Sequence, residues 1–302
     1  MSTLGLLASI PSPADNAISL GPLQLRAYGL AIAAGVMVAV VVAQRRWSRR
    51  GGDPADISQL ATWSVLAGLV GARAYHVLTD YQRFEGRWLH AVAVWEGGLG
   101  IPGGLLAGVV TGVVLARRAG LPAARLLDVV APAIPLAQAI GRLGNWFNQE
   151  LFGRPTTLPW GLRIDPSHRP SGYEQFATFH PTFLYEAVWN LLLAGALIAW
   201  ERRRPDARPG RLFALYVGGY ALGRLWVEAL RIDDATRIAG VRVNIWVSAI
   251  VLAGATGWLA IDHRRRAPAH QTSVAEGRRG GAAARWRRPR TTERSVLSAA
   301  EA

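Results

Sequence analysis

The chain alternates long apolar runs with shorter polar stretches rich in arginine or proline. Seven runs stand out, near 26–44, 58–79, 99–116, 126–146, 181–200, 212–229 and 244–261. Each approaches the ~20 consecutive apolar residues that carry a helix across a bilayer. The pattern predicts an all-α, polytopic membrane protein with about seven transmembrane helices, filling a domain over 1–261. Pro102, Pro132 and Pro135 interrupt the third and fourth runs. Packed neighbours can satisfy the backbone groups a proline frees, so both runs remain spans. Between the fourth and fifth runs lies a long loop, 147–180, with Pro155, Pro159, Pro166 and Pro170. Its aromatics Trp160, Tyr173, Phe176 and Phe179 predict an ordered cap lying on the membrane surface. Residues 262–302 mix arginine, alanine, glycine and proline without apolar periodicity and read as a disordered basic tail. The short apolar run over 4–10 lacks the length and the basic flank of a signal peptide.

Charge gives these runs a direction. The chain is 51% hydrophobic yet carries a net charge of +14, ordinary for a membrane protein with arginine-rich flanks and odd for a soluble enzyme. Arginines cluster after the first run (Arg45, Arg46, Arg49, Arg50), the third (Arg117, Arg118), the fifth (Arg202, Arg203, Arg204) and the seventh (Arg264, Arg265, Arg266). Those four segments hold 22 of the 34 arginines, and the loops on the other side hold eight. By the positive-inside rule the N-terminus lies outside and the C-terminus in the cytoplasm. The tail's charge then faces anionic lipid rather than nucleic acid.

In this topology the unusual polar residues collect in the outer half of the helices. A charge at the centre of a membrane helix costs roughly 2.5–3.5 kcal/mol on insertion scales, so each needs a purpose. The stretch 141–153 closes the fourth run with Arg142, Asn145, Asn148, Gln149 and Glu150. Gln138, Arg142 and Asn145 recur at helical spacing and share one stripe. In the sixth run Tyr220, Arg224 and Arg231 share a stripe, with Glu228 close to it. Tyr28, Glu96 and His180 begin the first, third and fifth runs on the same side. Plainer readings stand beside these. His180 before Pro181 suits a structural cap as well as a base. Glu228 and Arg231 suit a helix-end ion pair, Tyr28 an aromatic belt, and Arg73 with His76 a structural cluster. Arg142 and Arg224 are harder to dismiss, because they come from different helices and lie inside apolar runs. Two arginines in a membrane-embedded cavity favour an anion, and phosphate matches the guanidinium fork.

Several chemistries drop out. With no cysteine there is no disulfide, cysteine nucleophile or thiolate metal site. Neither a G-x-S-x-G elbow nor an H-E-x-x-H zinc pair occurs. His168 and His180 lack a matching carboxylate motif, so neither metal nor cofactor is expected. What remains is a lipid-facing anion site whose nucleophile arrives on a substrate.

These residues resemble the prolipoprotein diacylglyceryl transferase family. Residues 141–153 are similar to its signature G-R-x-G-N-F-x-N-x-E-x-x-G, with Trp146 in place of the usual phenylalanine. Arg26-Ala27-Tyr28-Gly29-Leu30 resembles the block that opens its first helix. Gly71-Ala72-Arg73, His180-Pro181-Thr182 with Tyr185-Glu186, and Tyr220 with Arg224, Glu228 and Arg231 match further blocks in order. The likeness runs from about Ile10 to Ile261. It implies transfer of the diacylglyceryl group of phosphatidylglycerol to the lipobox cysteine of a prolipoprotein signal peptide, in a bacterial cytoplasmic membrane. A thioether forms and glycerol phosphate leaves. By that likeness Arg142 binds the lipid head group and Arg224 the leaving phosphate or the incoming thiolate. Asn145 and Tyr28 are positioners. Gly153, Glu150, Tyr220, His180 and Glu228 are carried over as substrate-binding positions.

In one place the chain departs from the family. Many members have histidine where this sequence has Glu96. Glu96 could serve as base if burial raised its pKa toward neutral, or it could be structural beside Gly97 and Gly98. The rival function is an anion or lipid transporter or channel. It predicts polar residues continuing through the inner halves of the helices, where 36–42 and 191–199 are almost purely apolar.

Overall fold

A computed structural model describes residues 9–20, 23–93, 98 and 100–264. Glu96 and the tail beyond Arg264 lie outside the described residues. The chain divides into a first unit running to Thr256 and a second beginning at Gly257. Eight α-helices occur among the described residues: α1 Ala27–Ser48, α2 Pro54–Thr79, α3 Ile101–Arg118, α4 Ala123–Val130, α5 Ala133–Phe147, α6 Thr182–Arg203, α7 Arg211–Leu230 and α8 Val243–Arg264. They coincide with the seven apolar runs, the fourth run supplying two helices.

Helix boundaries follow local chemistry. Asp53 caps α2 by accepting from the Ala55 N–H at 2.8 Å, and Pro54 starts the helix where its missing donor costs nothing. Pro102 likewise falls in the first turn of α3, so it opens that helix rather than interrupting it. Pro132 does break the fourth run. It separates α4 from α5 with a bend of 42°, as expected of a residue with no N–H and a ring that clashes with the preceding turn.

The helices present an apolar exterior. Val70, Leu106 and Ile250 are 68%, 67% and 69% exposed, whereas Asn190 and Glu228 are fully enclosed. A water-soluble bundle shows the reverse distribution, and membrane helices show this one. Among the described residues three helices, α1, α6 and α8, are long and apolar enough to cross a membrane by themselves, and α4 with α5 forms a fourth span if taken together. The protein is a mostly helical membrane protein.

Small residues set the closest packing. A Cβ on Gly103 of α3 would collide with the Gly71 carbonyl and the Tyr75 side chain of α2, so the two backbones approach as only glycine allows. α5 lies between α1 and α6, and α6 between α5 and α7. Gly35 of α1 fits over the Ala137 carbonyl of α5. Trp146 of α5 stacks on Phe183 of α6, ring centroids 6.0 Å apart.

Loops at one end of the bundle form a compact cap. Phe152, Leu162, Ile164, Phe179 and Phe183 make its core, with Ile10, Trp146 and Tyr173 packed around them. Among the described residues three two-stranded antiparallel pairs accompany the helices: β1 Ala17–Leu20 with β2 Leu23–Arg26, β3 Leu162–Arg163 with β4 Thr178–Phe179, and β5 Arg237–Ile238 with β6 Val241–Arg242. These short ribbons modify an otherwise all-helical chain. Bridges between Ile10 and Leu162 and between Gly153 and Arg231 tie the cap to segments distant in sequence.

Candidate active site

Beneath the cap, α5, α6 and α7 each present a charged side chain to one shared point. Arg142 of α5 donates from Nη2 to Glu186 Oε1 of α6 at 2.6 Å and from Nη1 to Asn145 Oδ1 at 2.9 Å. Arg224 of α7 donates to the other oxygen of the same carboxylate, Glu186 Oε2, at 3.2 Å. Its Nη2 lies 2.6 Å from Glu228 Oε2, one turn along α7. Glu186 therefore holds the two guanidinium groups side by side.

From this centre the network runs both ways. Toward the cap, Asn145 Nδ2 donates to Glu150 Oε1 at 2.9 Å, and Asn148 Nδ2 donates to the same oxygen at 3.2 Å. Glu150 thus fixes the Asn145 amide with its oxygen toward Arg142. On the other side, Glu228 is fully buried. Its Oε1 accepts from Arg242 Nε at 2.7 Å and Asn244 Nδ2 at 3.1 Å, and Arg231 Nη1 stands 3.5 Å from Oε2. Arg231 and Arg242 share Asp233, at 2.7 Å from Arg231 Nε and 3.0 Å from Arg242 Nη2. Burial works against the Asp233 carboxylate, but the hydrogen bonds and charges of these arginines outweigh it and hold its pKa below the ordinary value.

Four arginines thus face four carboxylates, Glu150 included. Arg142 and Arg224 inside apolar runs predict a site for an anion, and in the structure protein carboxylates already compensate both guanidinium groups. The physical reason is that an unpaired charge in a dry interior costs more than folding can supply. A guanidinium carries five N–H donors, and these contacts occupy only part of them. A phosphate can therefore join the network without dismantling it.

The remaining expected residues fall around this core. Tyr220, one turn from Arg224, lies beside Arg142 and stacks on Tyr216 with centroids 6.2 Å apart. Tyr28, half-buried at the start of α1, packs against Gly144 beside Asn145. Gly153 sits where a Cβ would meet His180 Cβ at 2.9 Å, the Leu230 carbonyl at 3.1 Å and Thr182 Cγ2 at 3.1 Å, so only glycine fits. His180 Nδ1 lies 3.0 Å from the Tyr185 hydroxyl. Burial, then the nearby charge of Arg154, lowers the His180 pKa and keeps the imidazole neutral. Arg73 is a structural tether. It donates to the Ala91 and Gly98 carbonyls at 2.8 and 3.1 Å and to His90 O, with Phe84 beneath its guanidinium.

Among the charged members of the network, Glu186, Asp233 and Arg242 have no role readable from sequence. Glu186 carried a usable signal, an ionisable residue five positions into an apolar run. Arg242 and Asp233 looked like ordinary loop charges, and nothing local distinguished them.

Comparison with known proteins places this arrangement. The sequence model of the family described as prolipoprotein diacylglyceryl transferase matches residues 15–261. The chain belongs to that family. A relative from Frankia alni, named phosphatidylglycerol–prolipoprotein diacylglyceryl transferase, is 52% identical over 86% of this chain and 69% of its own length. Similarly named proteins of Streptomyces coelicolor and Cutibacterium acnes are 47% and 49% identical, over 96% and 87% of this chain and 92% and 93% of theirs. The matched region contains every residue of the network and ends before the basic tail. Relatives at this identity, all named as transferases, weigh against the transporter reading.

Proposed function

We propose that this chain transfers the diacylglyceryl group of phosphatidylglycerol to the thiol of a prolipoprotein's lipobox cysteine, the first step of bacterial lipoprotein maturation. The observation that carries the chemistry is the pair of guanidinium groups, from α5 and α7, held on the two oxygens of Glu186.

The reaction needs a thiolate and a stabilised leaving group. A free cysteine, pKa ~8.5, is only a few per cent ionised at neutral pH, and adjacent arginine raises that fraction. The cysteine sulfur bonds to the glyceryl carbon as that carbon's bond to the phosphate oxygen breaks. The bonding pair leaves with the phosphate, as glycerol phosphate, and the thiol proton passes to a base or to water. Arg142 grips the phosphodiester with its planar fork. Arg224 acts where charge grows on the departing phosphate, the electrostatic help that usually dominates such steps. Glu186 keeps both guanidinium groups aligned before the lipid arrives. Asn145, locked by Glu150, and Tyr28 orient the head group, while Gly153, Tyr220, His180 and Glu228 complete the walls.

The reading also sets a topology. The seven apolar runs span a bacterial cytoplasmic membrane, α4 and α5 forming one broken span, with the cap and the arginine pair at the outer leaflet and the C-terminus in the cytoplasm. The arginine bias supports this orientation. In intact cells an impermeant maleimide will label a cysteine placed at position 168 and not one at 49. The opposite pattern would separate the site from its outer leaflet. The activity itself is tested with purified protein, phosphatidylglycerol and a lipobox peptide. Mass spectrometry will show the peptide gaining one diacylglyceryl group, and an unmodified peptide would reject the assignment.

A further inference from the structure

One turn further from the cap than Arg142, Glu186 and Arg224, the same three helices present a second polar layer, and this one is neutral. Gln138 lies four residues before Arg142 on α5, and Asn190 four residues after Glu186 on α6. α5 and α6 run antiparallel in a register marked by Arg142 against Glu186 and Trp146 against Phe183. That register sets Gln138 opposite Asn190. On α7, Tyr216, two turns before Arg224, lies beside Gln138 and stacks on Tyr220, which lies beside Arg142.

This lower layer is incompletely satisfied. Both polar atoms of the Asn190 amide and Oε1 of Gln138 are buried without a hydrogen-bond partner, and Asn190 is 0% exposed. Such orphaned groups are rare, and each calls for a partner. Apolar side chains would fill this space at no such cost. Asn190 is shut off from bulk water, so a partner has to be held inside the bundle.

We infer that Gln138 and Asn190 form a shelf that receives the ester carbonyls of the donor lipid, an inference that rests on the proposed transferase reaction. A helical turn displaces side chains by about 5.4 Å, close to the spacing between a phosphodiester and the ester carbonyls of a glycerophospholipid. The charged layer thus meets the charged part of the lipid, and the neutral layer the neutral acceptors next in line. An amide N–H of Asn190 donates to one carbonyl. A half-turn of the Gln138 amide turns its oxygen toward the neighbouring Tyr216 hydroxyl and its NH₂ toward the other carbonyl. Held at both phosphate and esters, the glyceryl carbon between them stays fixed for attack by the thiolate.

The shelf predicts a preference that the arginines cannot produce. Dialkyl phosphatidylglycerol, with ether links in place of esters, keeps the phosphate and the tails but lacks the carbonyls. Wild-type protein should use the diacyl lipid with kcat/KM about tenfold above the dialkyl lipid of equal chain length, the worth of one or two hydrogen bonds. Asn190→Leu and Gln138→Leu should each shrink that preference to about twofold, mostly by slowing the diacyl reaction. Asn190→Leu removes an amide that has no partner, so its melting temperature should equal or exceed that of wild type. It therefore keeps the test valid if Gln138→Leu, which also removes the amide beside Tyr216, folds poorly. Equal use of the two lipids by wild type, or an undiminished preference in folded Asn190→Leu, would overturn the shelf. A trapped water serving the amide in either lipid would give that undiminished preference. Failure of wild type to modify the peptide with diacyl lipid would instead remove the transferase reading itself.

Discussion

Two clusters of arginine and carboxylate lie at opposite ends of the bundle, and they spend their hydrogen bonds differently. At the end away from the cap, Arg46 of α1 donates to the Val129 and Asp128 carbonyls at 2.8 and 3.2 Å and to both oxygens of Glu201 at 2.8 and 3.0 Å. Asp128 accepts the Gly210 and Phe213 N–H groups at 2.7 and 2.9 Å, capping α7 from another helix. Much of that bonding serves main-chain groups that helix ends leave unsatisfied. Beneath the cap, Arg142, Glu186 and Arg224 bond to side chains, across three helices, next to a layer of orphaned amides. Residue types are the same at both ends. What separates them is that one cluster is consumed by closing helix ends, while the other keeps donors that a ligand can engage.

The largest expected effects lie on the ligand-ready side. Arg224→Gln and Arg142→Gln should each lower lipobox-peptide modification by roughly a hundred- to a thousandfold, the scale of losing one charge-assisted contact at the transition state. Arg224→Gln should act mainly on turnover and Arg142→Gln also on the phosphatidylglycerol dependence, read from a lipid titration in detergent with thermal melts as the folding control. Well-folded variants within about threefold of wild type would make both clusters structural and erase the contrast. Arg142→Lys keeps the charge and loses the fork, so it should cost an intermediate amount, about tenfold, as weaker lipid binding. The smallest effect on activity belongs to the far end. Asp128→Ala removes a helix cap and should lower stability by about 1–2 kcal/mol, seen as an earlier melt, while the folded protein turns over at the wild-type rate. Lost turnover with an unchanged melt would show that this end also takes part in the reaction.

Much of the fold was legible in the sequence because membrane helices are written in composition. An apolar run of sufficient length must close its own backbone hydrogen bonds, so α1 to α3 and α6 to α8 lie where the runs do. The prolines were less transparent. Pro102 starts a helix and Pro132 breaks one, a difference set by position within the turn rather than by the residue. In the site, Arg142, Asn145 and Arg224 declared themselves by the cost of polar groups among apolar neighbours. Glu186 gave the same signal but was read only as part of a matching block. The uncompensated anion pocket inferred from Arg142 and Arg224 was incomplete, because each needs a counter-charge and those lie on other helices.

By itself the sequence determined which segments become helices, which family the chain belongs to, and which stripes of α5 and α7 carry charge. Those properties depend on neighbours within a turn or two, where periodicity and hydropathy act. Tertiary structure decided which charges meet. Arg142 pairs with a residue 44 positions away and Arg46 with one 155 positions away. Such pairings follow from helix register and crossing, which close glycine packing and the cap enforce. Only that register sets Glu186 between two arginines, brings Arg242 and Asp233 to Glu228, and leaves the Asn190 amide and Oε1 of Gln138 buried without partners. A stripe on a helix specifies a direction, and the partner in that direction exists only once the helices are packed.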